Sequence, residues 1–192
     1  MPKKTLTDSG KKEDILSAAL ELFLENGYEK TSVRMISQKI GCEAGLIYYY
    51  FKTKDDVFEN ALALYYKQTE AELQKLTDTQ TNIEDIIAYL EEKASKFRED
   101  FAGMHFSVRT AVCEKIASIT ETHLKNTLEK TDKKDVAVIA SFTASGLCRL
   151  IFSENTDFYK ANKETILQTA KKLISDEKET GGKKREIPSF LL

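Results

Sequence analysis

Apolar side chains recur at intervals of three and four residues along almost the whole chain, and this spacing constrains the fold most strongly. Ile15, Ala18, Ala19, Leu22 and Phe23 form the first stripe, a pattern typical of a helix packed on one face. Only two prolines and eight glycines occur in 192 residues, so few positions interrupt a helix. Strand-like alternation is absent. The sequence therefore predicts an all-α protein of about nine helices.

Several residues mark the expected helix boundaries. Gly27 is placed to end the first helix and Gly41 to end the second. Thr53 begins a capping-box pattern for a long fourth helix, and Thr81 begins another further on. Gly103 predicts a break between two later helices.

Residues 31–51 hold two short helical segments separated by a glycine-containing turn of about three residues. Thr31 or Ser32 is the expected N-cap of the first segment. This arrangement is typical of a helix-turn-helix unit, whose second helix enters the DNA major groove. Any two packed short helices share this pattern. The side chains of the second helix must therefore distinguish a DNA-binding unit from an ordinary helix pair.

The second segment contains three consecutive tyrosines before Phe51. With Phe51 taken as the core direction, Ile47 and Ala44 lie within roughly 40° of it and Tyr48 about 60° away. We expect Tyr48 to flank the core. We expect Tyr50 to be shared between packing and DNA-backbone contact.

Gly45, Leu46 and Tyr49 lie more than about 100° from the core direction and form the expected exposed face. Gly45 permits close approach to a DNA backbone, and Leu46 suits contact with a thymine methyl group. The Tyr49 hydroxyl suits a base edge or a phosphate. Tyr49 is therefore the residue expected to point away from the protein.

The charge distribution is slightly asymmetric. Residues 1–54 contain nine Lys/Arg and seven Asp/Glu, whereas the remaining residues contain 20 and 24. A basic end on an acidic body suits contact with phosphate. The residues expected to contact phosphate lie around the two short helices: Thr31, Ser32, Arg34, Lys52 and Lys54. For each of the three basic residues among them, the alternative is an ordinary solvent-exposed charge.

Residues 11–62 resemble the DNA-binding domain of TetR-family transcriptional repressors. The resemblance rests on the following positions in register: Ile15, Leu16, Ala18, Ala19, Leu22 and Phe23, then Gly27, Tyr28, Thr31, Ser32, Val33, Ile36 and Gly41, then residues 45–51 and Lys54. Beyond residue 62 only length and helical pattern carry it.

The resemblance implies a homodimeric repressor that binds a near-palindromic double-stranded DNA operator and releases it when a small molecule binds. A cytoplasmic location is expected from the sequence itself, which has no apolar run of about 20 residues and no secretory segment. The resemblance also implies a DNA-binding domain with an N-terminal arm over 1–53, a ligand-binding and dimerisation domain over 54–176, and a flexible tail over 177–192. The family's DNA contacts carry over to nine positions: Thr31, Ser32, Ala44, Gly45, Leu46, Tyr48, Tyr49, Tyr50 and Lys54.

The chain departs from the family pattern at three positions. Glu43 occupies a turn position where a serine-like N-cap is usual, and its carboxylate faces incoming phosphate. Ala44 replaces a residue that is often basic or polar, and Met35 stands where an acid is common. These departures leave an alternative open: a helical protein-interaction module, or an activator of the same fold, with weakened DNA binding.

The densest aromatic and ionisable cluster outside the first domain predicts a small-molecule pocket. Its residues are Phe97, Phe101, Met104, His105, Phe106, Arg109 and Cys113. Plain core packing is the alternative for this set, and His105 is expected to be packed rather than to bind a ligand.

The resemblance implies that the last two helices form the dimer interface, and small residues of the Val136–Ile151 helix would let helices approach closely there: Ala140, Ala144, Ser145 and Gly146. The expected residues are Ala140, Thr143, Ala144, Leu147, Leu150, Ile151, Ile166, Ala170 and Leu173. A contact within one chain is the alternative.

Other classes of protein are disfavoured. The chain has two histidines and lacks HExxH, GxSxG and a phosphate-binding glycine loop, so an enzyme is not expected. Its three cysteines lack CxxC spacing, so no metal or cofactor is expected. It has no apolar run of about 20 residues and no secretory segment, so no membrane partner is expected. The final residues, GGKKREIPSFLL, predict a mobile tail whose apolar end could dock on a groove.

Overall fold

A computed structural model of the chain describes residues 8–77, 82–131 and 133–174. These residues form eight α-helices and no strand, which confirms the all-α prediction and is close to the helix number expected. The helices are α1 Asp8–Asn26, α2 Val33–Ile40, α3 Ala44–Tyr50, α4 Lys54–Thr77, α5 Ile83–Asp100, α6 Phe106–Leu128, α7 Val136–Ile151 and α8 Asp157–Ile174. The predicted tail and Thr81 lie outside the described residues.

Two glycines end the first two helices, as the sequence predicts. Gly27 follows α1 with φ of 80°, and Gly41 caps α2 with φ of 68°. Both angles lie in the left-handed region, which glycine adopts without the steric cost of a Cβ. Ser32 caps the start of α2, where its hydroxyl accepts a hydrogen bond from the Met35 N–H.

Helices α1, α2 and α3 pack around a shared apolar centre. Ile15 and Phe23 of α1, Ile36 of α2 and Ile47 of α3 are fully buried there, together with Phe51 just after α3. Burying one such side chain contributes about 1.5–3 kcal/mol. This small core holds the two short helices, which are too short to be stable alone.

Helix α4 connects this unit to the rest of the chain. It begins after Thr53, whose hydroxyl accepts a hydrogen bond from the Asp56 N–H. It packs against α1 on one side and α6 on the other. Helix α6 also packs along α7, and α8 lies against α5 and α7. No helix within the described ranges is long and apolar enough to cross a membrane.

The break predicted at Gly103 is present between α5 and α6. It brings Gly103 against Gly27, so that a Cβ placed on Gly27 would lie 3.0 Å from the Gly103 carbonyl oxygen. The turn after α1 and the turn before α6 are therefore in direct backbone contact.

Candidate functional site

The turn between α2 and α3 presents the second short helix at the surface. Glu43 is the N-cap of α3 by backbone conformation, and its carbonyl accepts a hydrogen bond from the Leu46 N–H. Its exposed side chain makes no capping hydrogen bond. The Glu43 carboxylate therefore lies open to solvent at the N-terminal end of α3.

The inner face of α3 follows the sequence prediction at Ile47 and Phe51, whereas Ala44, which was also expected near the core direction, is only half-buried. Ile47 and Phe51 are buried in the core. Tyr50 is half-buried, with its ring near the ring of Phe51 and edge-on to Tyr49, whose ring centroid is 5.0 Å away. Tyr50 thus packs on the protein and also supports the outermost tyrosine.

The outer face of α3, defined here as Ala44, Gly45, Leu46, Tyr48 and Tyr49, is largely open to solvent. Tyr49 is 75% exposed, as predicted, and Gly45 is also exposed, whereas Ala44 and Leu46 are half-buried. The prediction that Tyr48 flanks the core is wrong, since this side chain is 56% exposed. Helix α3 packs chiefly on α2, so its buried stripe is narrow and a residue beside that stripe projects outward.

Thr31 does not have the accessible side chain that a phosphate anchor requires. It is 1% exposed, and its hydroxyl lies 2.9 Å from the carbonyl oxygens of both Leu22 and Gly27. It is therefore a structural residue that ties the end of α1 to the start of α2. Sequence position alone placed it at a helix N-terminus without revealing that it lies inward.

Ser32 and Arg34 are both exposed at the first turn of α2. The Ser32 hydroxyl accepts from Met35, and a hydroxyl that accepts can still donate to a phosphate oxygen. Both side chains are therefore accessible, as contact with a phosphate would require.

Lys54 is held in place by Tyr28, at the junction of α3 and α4. Its ammonium lies 3.1 Å from the Tyr28 carbonyl oxygen and 4.0 Å from the centre of the Tyr28 ring. The Tyr28 hydroxyl donates to the Asp55 carboxylate, and this hydrogen bond raises the pKa of Tyr28 to about 12. Lys52 is exposed nearby, so two cations border α3 at its C-terminal side.

The predicted small-molecule residues do not form one pocket. Phe97, Arg109 and Cys113 line a cavity of about 640 Å³ between α6 and α7. Met104 and His105 instead line a separate crevice of about 450 Å³ beside Tyr28. This separation corrects the predicted set, because the break at Gly103 turns these residues away from the cavity.

Two further placements differ from the predicted pocket. Phe101 is completely buried and stacks on Phe97 with ring centroids 4.7 Å apart, so it belongs to the core. His105 was expected to be packed, but it is exposed and caps α6, where its ring nitrogen accepts from the Ser107 N–H.

The cavity between α6 and α7 combines apolar walls with two arginines and three carboxylates: Arg109, Arg149, Glu114, Glu121 and Glu154. Arg109 pairs with Glu154, with Nη1 and Oε1 2.8 Å apart. The Arg109 Nε atom is buried and has no hydrogen-bond partner among the described residues. Burial raises the pKa of the Cys113 thiol to about 11 and that of Cys148 to about 12, so both thiols are neutral wall atoms.

Several cavity residues escaped sequence reasoning. Cys148 and Phe152 come from α7 and its C-cap, and Glu154 comes from the connection to α8. Each lies far along the chain from Arg109. Only the packing of α7 on α6 brings them together, and no local spacing signals that contact.

Most of the predicted dimer residues are buried within the chain itself. The buried ones are Ala140, Thr143, Ala144, Leu147, Ile151 and Ala170. These side chains serve the intramolecular packing of the last helices, which was the alternative interpretation. Leu150, Ile166 and Leu173 are half-buried along a groove between α7 and α8.

The exposed apolar residues of α7 were not in the predicted set. Val138 is 68% exposed and Phe142 is 71% exposed. They lie one helical turn apart on the same helix, and Phe142 borders the groove between α7 and α8. The sequence could have indicated their exposure, since Val138 and Phe142 lie off the face of α7 that carries the periodic apolar residues.

Comparison with known proteins supports the N-terminal assignment. The family described as "Bacterial regulatory proteins, tetR family" matches residues 15–61. An uncharacterised HTH-type transcriptional regulator, YvdT of Bacillus subtilis, is 46% identical over 55 residues, which cover 29% of this chain and 27% of the relative. The HTH-type transcriptional repressor Rv1474c of Mycobacterium tuberculosis is 38% identical over 50 residues, or 26% and 27% of the two chains.

These matches span about a quarter of each relative's length. A solved transcriptional regulator of the TetR/AcrR family from Aquifex aeolicus is similar over a longer range. It is 24% identical, covers 86% of this chain and 100% of its own, and has a TM-score of 0.55. At that identity the likeness shows the fold. The comparisons therefore identify residues 15–61 as a DNA-binding domain similar to that of the TetR family of bacterial transcriptional regulators.

Proposed function

We propose that this regulator is a repressor that binds a near-palindromic DNA operator as a homodimer and releases it when a small molecule binds. The observation that carries the proposal is the outer face of α3. Tyr48 and Tyr49 are large, exposed and directed away from the core on the second helix of a helix-turn-helix unit. A surface of this kind suits insertion into a major groove.

Side chains around α3 support the orientation. Ser32 and Arg34 lie at the start of α2, Lys52 lies between α3 and α4, and Lys54 is the first residue of α4. Contacts of such residues with phosphates fix the register of a recognition helix on the duplex. Thr31 is left out of this set because its hydroxyl is buried.

A second copy of the chain is the proposed partner of the α7–α8 surface. Val138 and Phe142 expose apolar side chains beside a groove lined by Leu150, Ile166 and Leu173. An exposed apolar patch next to a groove is typical of a protein interface. In a two-fold dimer, the two α3 helices would reach successive major grooves about 34–36 Å apart or a multiple of that distance.

The cavity between α6 and α7 is the proposed effector site. Its walls include Phe97, Phe152 and two neutral thiols, and Arg109 offers a buried Nε–H that no described residue accepts. A small, mostly apolar molecule with an acidic group would fill the walls and accept that hydrogen bond. Coupling of about 1–3 kcal/mol between this site and DNA binding would change operator occupancy several-fold to a hundred-fold.

A mobility-shift assay with the DNA upstream of the protein's own gene tests the proposal. We expect a discrete complex whose affinity falls as the salt concentration rises, because phosphate contacts release counterions. Absence of binding to any candidate operator would favour the alternative, a helical protein-interaction module. The exposed Glu43 carboxylate beside α3 is the feature that favours that alternative.

A further inference from the structure

We propose that α3 identifies its operator through the methyl groups of thymine, and not through hydrogen bonds to guanine or adenine edges. The inference rests on the proposed function and concerns the bases that the site recognises. It is based on the types of side chain that the outer face of α3 presents.

The outer face contains no side chain capable of bidentate base recognition. Arginine or lysine reads guanine, and asparagine or glutamine reads adenine, through paired hydrogen bonds in the major groove. The outer-face residues are alanine, glycine, leucine and two tyrosines: Ala44, Gly45, Leu46, Tyr48 and Tyr49. What this surface can distinguish is therefore chiefly the apolar thymine methyl.

Gly45 indicates that the surface is shaped for something outside the protein. A glycine within a helix costs about 0.5–1 kcal/mol relative to alanine. A Cβ at Gly45 would meet no atom of the surrounding structure within 4 Å, and Gly45 is not among the positive-φ glycines. Because internal packing does not require glycine here, its use is explained by close approach of DNA.

Leu46 and Tyr49 supply the apolar contact. Tyr49 is held edge-on to Tyr50, at an angle of 83° between the rings, so its ring has a supported direction. The tyrosine hydroxyl both donates and accepts, so it discriminates poorly between base edges. The Tyr49 ring and the Leu46 side chain are the parts of the face that favour a methyl group.

The remaining polar groups of the unit are assigned to other contacts. Arg34 and Gln38 are exposed on α2, the helix that crosses the DNA backbone in this motif. Glu43 is the rival base reader, because a carboxylate can accept from the cytosine amino group. The experiment below therefore includes a test of whether Glu43 recognises a cytosine.

The experiment begins by selecting high-affinity duplexes from a random pool with the full-length protein. Each thymine of the selected half-site is then replaced by uracil, which removes only the methyl group. We expect at least two positions where the replacement weakens binding about fourfold, the effect of one buried methyl-sized group. Replacing guanine by 7-deazaguanine, which removes the N7 acceptor, should leave the affinity unchanged.

A matched variant links the methyl to its contact. In Leu46→Ala the penalty for uracil should disappear at one position and persist at the others, while circular dichroism remains that of the parent. Specific binding that ignores uracil would overturn this inference and leave the proposed function standing. Weaker binding to 7-deazaguanine duplexes, or relaxed selection at a cytosine in Glu43→Ala, would overturn it in the same way. Failure to select any sequence would overturn both.

Discussion

At the scale of single residues, helical position and accessible surface proved to be different quantities. Thr31 occupies a helix N-terminus that suits an anion, yet its hydroxyl is buried against two carbonyl groups. Tyr48 lies beside the buried stripe of α3, yet most of its surface is open to solvent. A helical wheel predicts the direction in which a side chain leaves the helix, but its exposure depends on the neighbouring helices that cover it.

Thr31→Val should lower the free energy of unfolding by about 1–3 kcal/mol, because the buried carbonyl groups of Gly27 and Leu22 lose the hydroxyl that they share, and only Leu22 keeps a side-chain donor, the Asn26 amide. Thr31→Ser keeps the hydroxyl and should lose less. Urea denaturation of the three proteins measures the difference. Equal stability of the valine variant, or loss of DNA affinity by folded protein in both variants, would contradict the structural role assigned to Thr31.

At the scale of helices, two glycines of the N-terminal domain differ in what the fold requires of them. Gly27 has a positive φ and touches Gly103, so the fold requires it. Gly45 lies in an ordinary helix with open space around it, so the fold does not. Gly27 is therefore required by the fold, whereas the proposed approach of DNA is what would require Gly45.

Gly45→Ala should leave stability unchanged or raise it by up to about 1 kcal/mol while weakening operator binding. Gly27→Ala, its matched control, should destabilise the protein by about 1–2 kcal/mol because alanine is strained in the left-handed conformation. Thermal unfolding and DNA titration on the same samples distinguish the two effects. A Gly45→Ala protein that binds DNA as tightly as the parent would refute the proposed close approach of DNA at this position.

Helix α7 shows where periodicity reaches its limit. The stripe of Ala140, Ala144 and Leu147 was visible in the sequence, but periodicity does not say whether a buried stripe faces the same chain or a second copy. In the structure it faces the same chain. The surface open to a partner carries Val138 and Phe142.

Phe142→Glu should shift the protein from dimer to monomer, because a charge would be placed within an apolar interface. Phe106→Glu changes a side chain of equal exposure elsewhere and is the control. Sedimentation velocity at several concentrations gives the mass of each. A dimeric Phe142→Glu protein, or a monomeric parent, would count against the proposed α7–α8 interface.

At the scale of the whole molecule, local sequence patterns predicted the order of the helices but not the contacts between residues that are distant in the chain. Breaks at Gly27, Gly41 and Gly103 follow from residue chemistry that acts within one turn. The cavity, in contrast, joins Phe97 of α5 and Arg109 of α6 to residues of α7 and beyond. Such assembly depends on how long helices cross, which no window of sequence contains.

The effector proposal has its own test in the Arg109 guanidinium. A medium-chain carboxylate such as decanoate should raise the thermal unfolding temperature and release DNA, whereas decanol should do so less. Arg109→Ala should remove the difference between the two compounds. A preference for decanol, or a carboxylate preference that survives in Arg109→Ala, would refute the acidic-effector assignment.

The central claim is that α3 binds a specific DNA sequence, and the affinity for a selected duplex across a salt series tests it most directly. The parent protein should bind that duplex at least about 10³-fold more tightly than a scrambled one, with affinity falling as salt rises. Tyr49→Ala should lose at least tenfold in affinity with its fold and mass unchanged, while Phe106→Ala should bind as the parent does. Equal affinity for selected and scrambled duplexes, or an unaffected Tyr49→Ala protein, would contradict the account.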